Sequence, residues 1–129
     1  MPLLYAIDGR LVRIVVVDRV TLDETVQLTD ALLADPGFEA TADLLVDASR
    51  GRPSLSYQEM RTTATRWAAL AGRVRRIAIV ASGDVIYRLA RAFQYFAELA
   101  GLTCQVFRTI RAARTWLEED ALTVTTAGR

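Results

Sequence analysis

The sequence predicts an α/β protein with a five-stranded, mostly parallel sheet flanked by four helices. Apolar, β-branched runs alternate with segments of helical periodicity along most of the chain, a pattern typical of parallel strands joined by helices. The run at 76–81 is continuously apolar after its first residue, which suits a strand covered on both faces. The first two strands follow each other without a helix, so the predicted order is ββαβαβαβα.

The first two strands, 3–7 and 11–17, are predicted to form an antiparallel hairpin. Asp8-Gly9 separates them, and this dipeptide favours the positive-φ turns that reverse a chain tightly. A helix follows, because Thr21 and Glu24 match the capping-box pattern. Its apolar residues at helical spacing are Leu22, Val26, Thr29, Leu32 and Leu33, and Asp35-Pro36-Gly37 ends it.

The third strand is predicted at 43–48 and is followed by a polar loop that leads to the second helix. Ser56 and Glu59 form a second capping-box pattern. Gly72 is a natural C-terminal stop for this helix. The predicted buried stripe consists of Met60, Ala64, Trp67, Ala68 and Ala71.

The fourth strand, 76–81, is predicted at the centre of the sheet, and a long helix over 84–100 follows it. The segment 103–107 alternates apolar and polar residues, as an edge strand does. Thr109 is positioned to cap the last helix, whose stripe is Ile110, Ala113, Trp116 and Leu117. We expect one domain over 1–119 and a frayed tail over 120–129, because no buried-face pattern continues past residue 119.

Composition excludes several kinds of site. The chain has 129 residues, sixteen basic and fifteen acidic residues, no histidine and one cysteine, Cys104. A net charge of +1 gives no general attraction to nucleic acid or anionic membranes. Without histidine, the commonest general base and metal ligand are missing. We expect a bacterial, cytoplasmic protein with no signal peptide, no membrane span, no metal and no cofactor.

Polar residues follow the predicted parallel strands where each strand ends. Because these ends meet at one edge of the sheet, where helix N-termini also gather, the edge could bind an anion or ligand. Ordinary helix capping is the alternative explanation for Ser82 and Asp84, as for Ser56 and Thr109. The candidate phosphoacceptor or ligand residues are Asp47, Ser49, Ser54, Ser82, Asp84 and Arg108.

The helix over 84–100 is apolar around more than one narrow stripe, so more than one neighbour must cover it. It could pack against both the sheet and a flanking helix, or it could form a homodimer interface. The candidate self-association residues are Arg91, Tyr95 and Phe96. A separate basic cluster, Arg73, Arg75 and Arg76, lies at the start of a strand and is expected to be solvated.

The segment RRIAIVASGDVIYRLARAFQYFAELAGLTCQVFRTIRAARTWLEE, together with the order of elements, resembles small bacterial proteins with a SpoIIAA-like fold, within the wider STAS group. The resemblance implies a serine, phosphorylated by a partner kinase, after an Asp-ended strand. Ser49 lies at the matching place, although DASRGRPSLS is longer and more basic than the family's turn. The fold group also includes lipid carriers.

Two functions are therefore expected from the sequence. The first is a non-catalytic regulatory or protein-interaction module, phospho-regulated through Ser49 or Ser54 and acting as a homodimer with a regulatory protein partner. The alternative is a carrier or sensor of a small apolar ligand or lipid, held between the wide apolar helix and the sheet. An enzyme is not expected, because the sequence contains no metal cluster, nucleophile–base pair or glycine-rich phosphate loop.

Overall fold

The computed structural model describes residues 3–38 and 41–127, with side chains up to residue 118. Within these ranges the strands and helices follow the predicted order ββαβαβαβα. The strands are β1 (Leu3–Asp8), β2 (Leu11–Asp18), β3 (Ala42–Gly51), β4 (Val74–Val80) and β5 (Cys104–Phe107). The helices are α1 (Leu22–Ala34), α2 (Tyr57–Trp67), α3 (Asp84–Leu99) and α4 (Ile110–Ala127).

The five strands lie side by side in chain order, β1-β2-β3-β4-β5. β1 and β2 are antiparallel, and the remaining pairs are parallel. Right-handed crossovers that all step in the same direction place their helices on the same face of a sheet. Accordingly α1, α2 and α3 cover one face, which we call the three-helix face, and α4 packs on the opposite face, the α4 face.

Strand β4 lies between helical layers, as its apolar run predicts. Its residues Ile77 to Val80 are all buried, and it pairs in parallel with β3 and β5. The placement at the centre needs one correction, because the middle strand is β3 and β4 lies next to the edge strand β5. The predicted edge position of β5 is confirmed, with Cys104 and Val106 buried on the three-helix face.

Strand β3 is longer than predicted and continues to Gly51. A register shift between Val15 and Val17 lets β2 pair with the extension, where Val17 lies opposite Arg50. Asp18, whose φ is 59°, ends this pairing. The expectation that Ser49 and Arg50 lie in a loop is therefore wrong, because ladder hydrogen bonds to β2 extend the strand through them.

Both predicted capping boxes are present. The hydroxyls of Thr21 and Ser56 accept hydrogen bonds from the backbone N–H groups of Glu24 and Glu59 at 3.2 and 3.1 Å. The buried face of α1 differs from the predicted stripe, since Leu22, Val26 and Leu33 are only half-buried. Packing between the sheet and α2 sets the orientation of α1 and buries Thr25, Leu28, Thr29 and Leu32.

Helix α3 begins without a side-chain cap. Its N-cap residue is Gly83, and no side chain of the described residues caps the helix. The capping explanation for Ser82 and Asp84 is therefore wrong. The hydroxyl of Thr109 does cap α4, accepting from the Ala112 N–H at 3.1 Å. Gly101, with φ of 90°, follows α3 and stops it.

The basic cluster at the start of β4 is not simply solvated, contrary to expectation. Arg73 donates to the carbonyl oxygens of Leu33 and Phe38 at 3.3 and 2.7 Å. Arg75 bonds to Asp43 at 2.7 Å, and Arg76 lies 4.3 Å from the centre of the Trp116 ring. These arginines link the start of β4 to the end of α1, to β3 and to α4.

Helix α4 continues to Ala127. The structure thus shows no break in secondary structure at residue 119, where the sequence predicts the domain to end, and the boundary stays a prediction. Residues 128 and 129 of the predicted tail lie outside the described residues. None of the described helices combines the length and the hydropathy needed to cross a membrane.

Candidate functional site

An apolar cavity of about 170 Å³ lies on the three-helix face of the sheet. Side chains from β1 to β4, all three helices of that face and the β3–α2 connection line it. Small residues, Ala48 on β3 and Ala90 on α3, leave the space that larger side chains would fill. Its main apolar lining residues are Leu3, Ile14, Val16, Val20, Leu28, Val46, Leu55, Met60, Trp67, Ile79, Ile86, Leu89 and Phe93.

The cavity is partly open, and its exposed lining residues Arg52, Pro53 and Ser54 lie in the β3–α2 connection. Ser54 fixes this connection, because its hydroxyl donates to the Val20 carbonyl at 2.7 Å and accepts from the Val20 N–H at 3.0 Å. Arg52 pairs with Asp18 at 3.3 Å, and both side chains are about 70% exposed, at 70% and 69%. The mouth therefore carries one exposed guanidinium next to a fixed segment of backbone.

A pair of threonines forms a polar spot in the cavity wall. Thr25 on α1 and Thr63 on α2 are buried, and their hydroxyl oxygens are 3.1 Å apart. Each hydroxyl also lies within hydrogen-bond distance of a carbonyl of its own helix, Leu22 at 2.7 Å and Glu59 at 3.0 Å. The two helices thus meet through a hydrogen bond in a mainly apolar wall.

Trp67, one helical turn after Thr63, is the second polar element of the wall. The side chain is buried, and its ring packs edge-on against Phe93 with the centroids 5.4 Å apart. Its Nε1 is buried and has no hydrogen-bond partner among the described residues. A buried indole N–H without an acceptor destabilises the folded chain, because it has lost its hydrogen bond to water.

Asp47 and Ser49 lie close together but away from the cavity. The Ser49 hydroxyl donates to Asp47 Oδ1 at 2.6 Å, and the Ser49 N–H donates to the same oxygen at 3.0 Å. Neither side chain lines the cavity, whereas Ala48 between them does. The arrangement is a local turn-like motif with an exposed serine.

Ser82, Asp84 and Arg108 do come together, as the sequence predicts. Arg108 Nη1 lies 2.8 Å from Asp84 Oδ1 and 3.3 Å from the Ser82 carbonyl oxygen. The guanidinium lies 4.0 Å from the centre of the Tyr87 ring. The hydrogen bond from Arg108, and then its charge, lower the pKa of the Asp84 carboxyl. The Arg108 guanidinium is therefore already bound to protein groups and is less suited to bind an anion.

The predicted self-association residues lie on the outer side of α3. Arg91 is exposed, Tyr95 is 61% exposed, and Phe96 is half-buried. The Tyr95 and Phe96 rings pack edge-on with their centroids 5.7 Å apart. Leu99 adds further exposed apolar surface at the end of the helix.

Groups suited to metal binding or nucleophilic catalysis are sparse in the described part of the chain. It contains no cluster of three or more acidic, cysteine or histidine side chains that could hold a metal ion. Cys104 is buried, and burial, assisted by the charge of Glu98, raises the pKa of its thiol to about 12. The thiol therefore stays protonated in the folded chain and acts as a small apolar core group.

Sequence reasoning anticipates an apolar pocket between the sheet and the long helix but misses the threonine pair and the fixed connection. Thr63 is not part of the predicted stripe of α2, but it lies one helical turn before Trp67, which is, and this spacing could have indicated it. Thr25 could not be found in this way, because the orientation of α1 depends on tertiary packing. The contacts of Ser54 with Val20 join residues 34 positions apart, which no local pattern reveals.

Comparisons with known proteins agree with this architecture. An uncharacterised protein of the DUF3478 family from Shewanella loihica PV-4, described as having a SpoIIAA-like fold, is similar in structure with a TM-score of 0.61. The two chains share 18% sequence identity over 89% of this chain and 91% of the other, so the likeness concerns the fold. A comparison with curated proteins gives no match. The sequence pattern of the SpoIIAA-like family matches residues 11–118, and the chain therefore belongs to the SpoIIAA-like family.

Proposed function

We propose that the protein is a non-catalytic binding module that carries or senses a small apolar ligand in the cavity of the three-helix face. The observation that supports this function is the cavity itself, about 170 Å³ with a mainly apolar lining and a mouth beside Arg52. Apolar cavities with a few placed polar groups are the usual form of small-molecule sites. The SpoIIAA-like fold is compatible with this function without specifying it.

The cavity volume limits the size of the ligand. An apolar cavity of about 150 Å³ accommodates a benzene molecule. The apolar body of a ligand here is therefore about one six-membered ring, or a short chain of similar volume. A long acyl chain would fit only in part, with the remainder leaving through the mouth beside Pro53.

The polar groups around the cavity favour binding over catalysis. The Ser54 hydroxyl donates its hydrogen to the Val20 carbonyl and accepts from the Val20 N–H. The threonine pair bonds to its own helices, and the sequence contains no histidine that could act as a base. No nucleophile next to a general base therefore lines the cavity among the described residues.

Thermal unfolding with benzene or toluene as the probe tests this function. A ligand that binds only the folded chain raises Tm as its concentration increases. We expect both probes to stabilise the wild-type chain, whereas Ala48→Leu, which fills the cavity, should lose the effect. Ala6→Leu is the matched control, since Ala6 is an exposed residue of β1 outside the cavity. Equal responses of wild type and Ala48→Leu, or no response at all, would contradict the proposal.

Native mass spectrometry of the gently purified protein provides an independent test. A small molecule that co-purifies with the wild type and is absent from Ala48→Leu would support the carrier function. The same spectra report the oligomeric state, so they also bear on the second candidate function.

The second candidate is a phospho-regulated interaction module with a regulatory protein partner, favoured by the exposed Ser49 hydroxyl next to Asp47. A phosphoryl group on Ser49 would repel the Asp47 carboxylate and open this motif. Ser54 is the weaker acceptor, because Val20 holds its hydroxyl. Incubation with bacterial lysate and ATP, followed by peptide mass spectrometry, should label Ser49, and the absence of label on both serines would remove this candidate.

Self-association through α3 belongs to this second candidate. The proposed homodimer face contains Arg91, Tyr95 and Phe96, and dimerisation would cover their exposed aromatic surface. Tyr95→Glu should split the dimer in native mass spectrometry. Tyr57→Glu is a matched control, because Tyr57 on α2 is also 62% exposed. A dimer that persists in Tyr95→Glu would show that a different face associates.

We further propose a bacterial cytoplasmic location, with no nucleic-acid or membrane partner.

A further inference from the structure

The unpaired N–H of Trp67 suggests what the cavity ligand must carry. Trp67 lines the cavity, and its buried Nε1 has no acceptor among the described residues. Buried polar groups in native proteins are nearly always paired, so an orphan in a cavity wall indicates a missing acceptor. The nitrogen exposes less than 1 Å², so contact with a ligand in the cavity requires a small shift of the indole ring.

The threonine pair can accept a hydrogen bond, which complements the donor of the Trp67 indole. Two hydroxyl hydrogens, on Thr25 and Thr63, serve three short contacts, one between the hydroxyls and one to each helix carbonyl. Every arrangement of these hydrogens leaves oxygen lone pairs unused and no hydrogen free. The pair can therefore accept a hydrogen bond from a ligand but has none to give.

Thr63 and Trp67 are four residues apart on α2, so their side chains lie next to each other on the same helix face. From this juxtaposition we infer that the cavity binds a ring-sized alcohol or phenol, an apolar body with one hydroxyl. The ligand oxygen accepts from the Trp67 Nε1–H, and the ligand O–H donates to the Thr63 hydroxyl oxygen. This inference rests on the proposed ligand-binding function and adds the chemical class of the ligand.

Phenol and toluene form a matched pair of probes, because they differ only in a hydroxyl and a methyl group. A purely apolar cavity would bind toluene more tightly, since toluene has more apolar surface to bury. We expect calorimetric titration to show phenol binding about fivefold more tightly than toluene, the gain from about one net hydrogen bond. Toluene binding as tightly as phenol, or more so, would overturn the inference and leave the apolar-ligand function standing. Binding of neither probe would contradict the function itself.

Two variants assign the preference to specific atoms. Thr63→Val removes a hydroxyl and keeps the shape of the side chain. Trp67→Phe removes the indole N–H and keeps a smaller aromatic ring. Each should reduce the ratio of phenol to toluene affinity toward one. Thr65→Val is the control, because Thr65 is exposed on the same helix and makes the same kind of bond to its own carbonyl at 2.9 Å. A full phenol preference in both Thr63→Val and Trp67→Phe would overturn the assignment.

Tryptophan fluorescence provides a readout that does not depend on variants in the cavity wall. The chain contains two tryptophans, and Trp116→Phe leaves Trp67 as the only one. Phenol should shift the Trp67 emission to the red through a hydrogen bond at Nε1, whereas toluene should not. Identical spectra with the two bound probes would show that the indole N–H does not contact the ligand hydroxyl.

Discussion

The Arg108 guanidinium and the Asp84 carboxylate form an ion pair 2.8 Å long that joins the β5–α4 connection to the first turn of α3. Arg108 also lies over the Tyr87 ring, so the aromatic face and the carboxylate together fix its position. The pair stands where a side-chain cap of α3 was expected. Its measurable consequence is the lowered pKa of Asp84, caused first by the hydrogen bond from Arg108 and then by its charge.

Replacing Arg108 by glutamine should raise the pKa of Asp84 toward that of an ordinary aspartate. Because the folded-state pKa is lowered, the stabilisation is present above the ordinary aspartate pKa and is lost as pH falls through the folded value. NMR titration of the Asp84 carboxyl carbon in Arg108→Gln measures the change. Asp35 is the internal control, since the Gly37 N–H and the Tyr5 hydroxyl lower its pKa without Arg108. An unchanged Asp84 titration would contradict this explanation.

Ser56→Ala and Ser82→Ala should have different effects on stability, although both serines precede helices. Ser56 accepts the Glu59 N–H as the cap of α2, so its loss should lower the free energy of unfolding by about 1 kcal/mol. Ser82 is exposed, and α3 begins at Gly83 without a side-chain cap, so its replacement should change stability by less than about 0.5 kcal/mol. Urea unfolding of both variants tests this, and equal losses would contradict the assignment of the caps.

These two serines show why some elements were predictable from sequence and others were not. The capping box around Ser56 is a local pattern, with Glu59 three residues later, and the structure confirms it. At Ser82 the local pattern also suggests a cap, but Asp84 instead pairs with Arg108, 24 residues away. Local signals therefore predicted the order of strands and helices, whereas long-range pairing decided the side-chain contacts at the ends of the elements.

In the candidate site, too, local sequence patterns predict some features, whereas contacts between distant residues determine the others. The order of strands and helices along the chain, the burial of β4 and the edge position of β5 follow from apolar patterns in the sequence. The cavity depends on how α1, α2 and α3 pack against the sheet, and therefore on contacts between elements distant in sequence. The strand character of Ser49 likewise depends on a register shift between β2 and β3, and the local sequence pattern does not indicate this shift.

Arg75→Ala should destabilise the fold by about 2 kcal/mol, which is large for an arginine at the surface. Arg75 Nη2 bonds to Asp43 Oδ2 at 2.7 Å and to the Leu117 carbonyl at 2.9 Å, so it links β3, β4 and α4. The Arg75 and Asp43 side chains are only 23% and 19% exposed, so the substitution would leave a half-buried carboxylate without this partner. Arg61→Ala, at an exposed position of α2, should change stability far less in the same urea titration. Equal effects of the two substitutions would show that the contact contributes little.

Cys104 should not react with a thiol reagent while the chain is folded. Burial in β5, with a smaller contribution from the charge of Glu98, raises the pKa of its thiol to about 12. Near pH 8 the thiolate, which is the reactive form, is therefore scarce, and the core excludes the reagent as well. In native buffer, labelling with Ellman's reagent should proceed only as fast as the chain opens, and it should become rapid in concentrated urea. Because Cys104 is the only cysteine, the labelling rate reports directly on opening of the edge between β5 and α3. Immediate labelling of the native protein would show that this edge is open rather than packed.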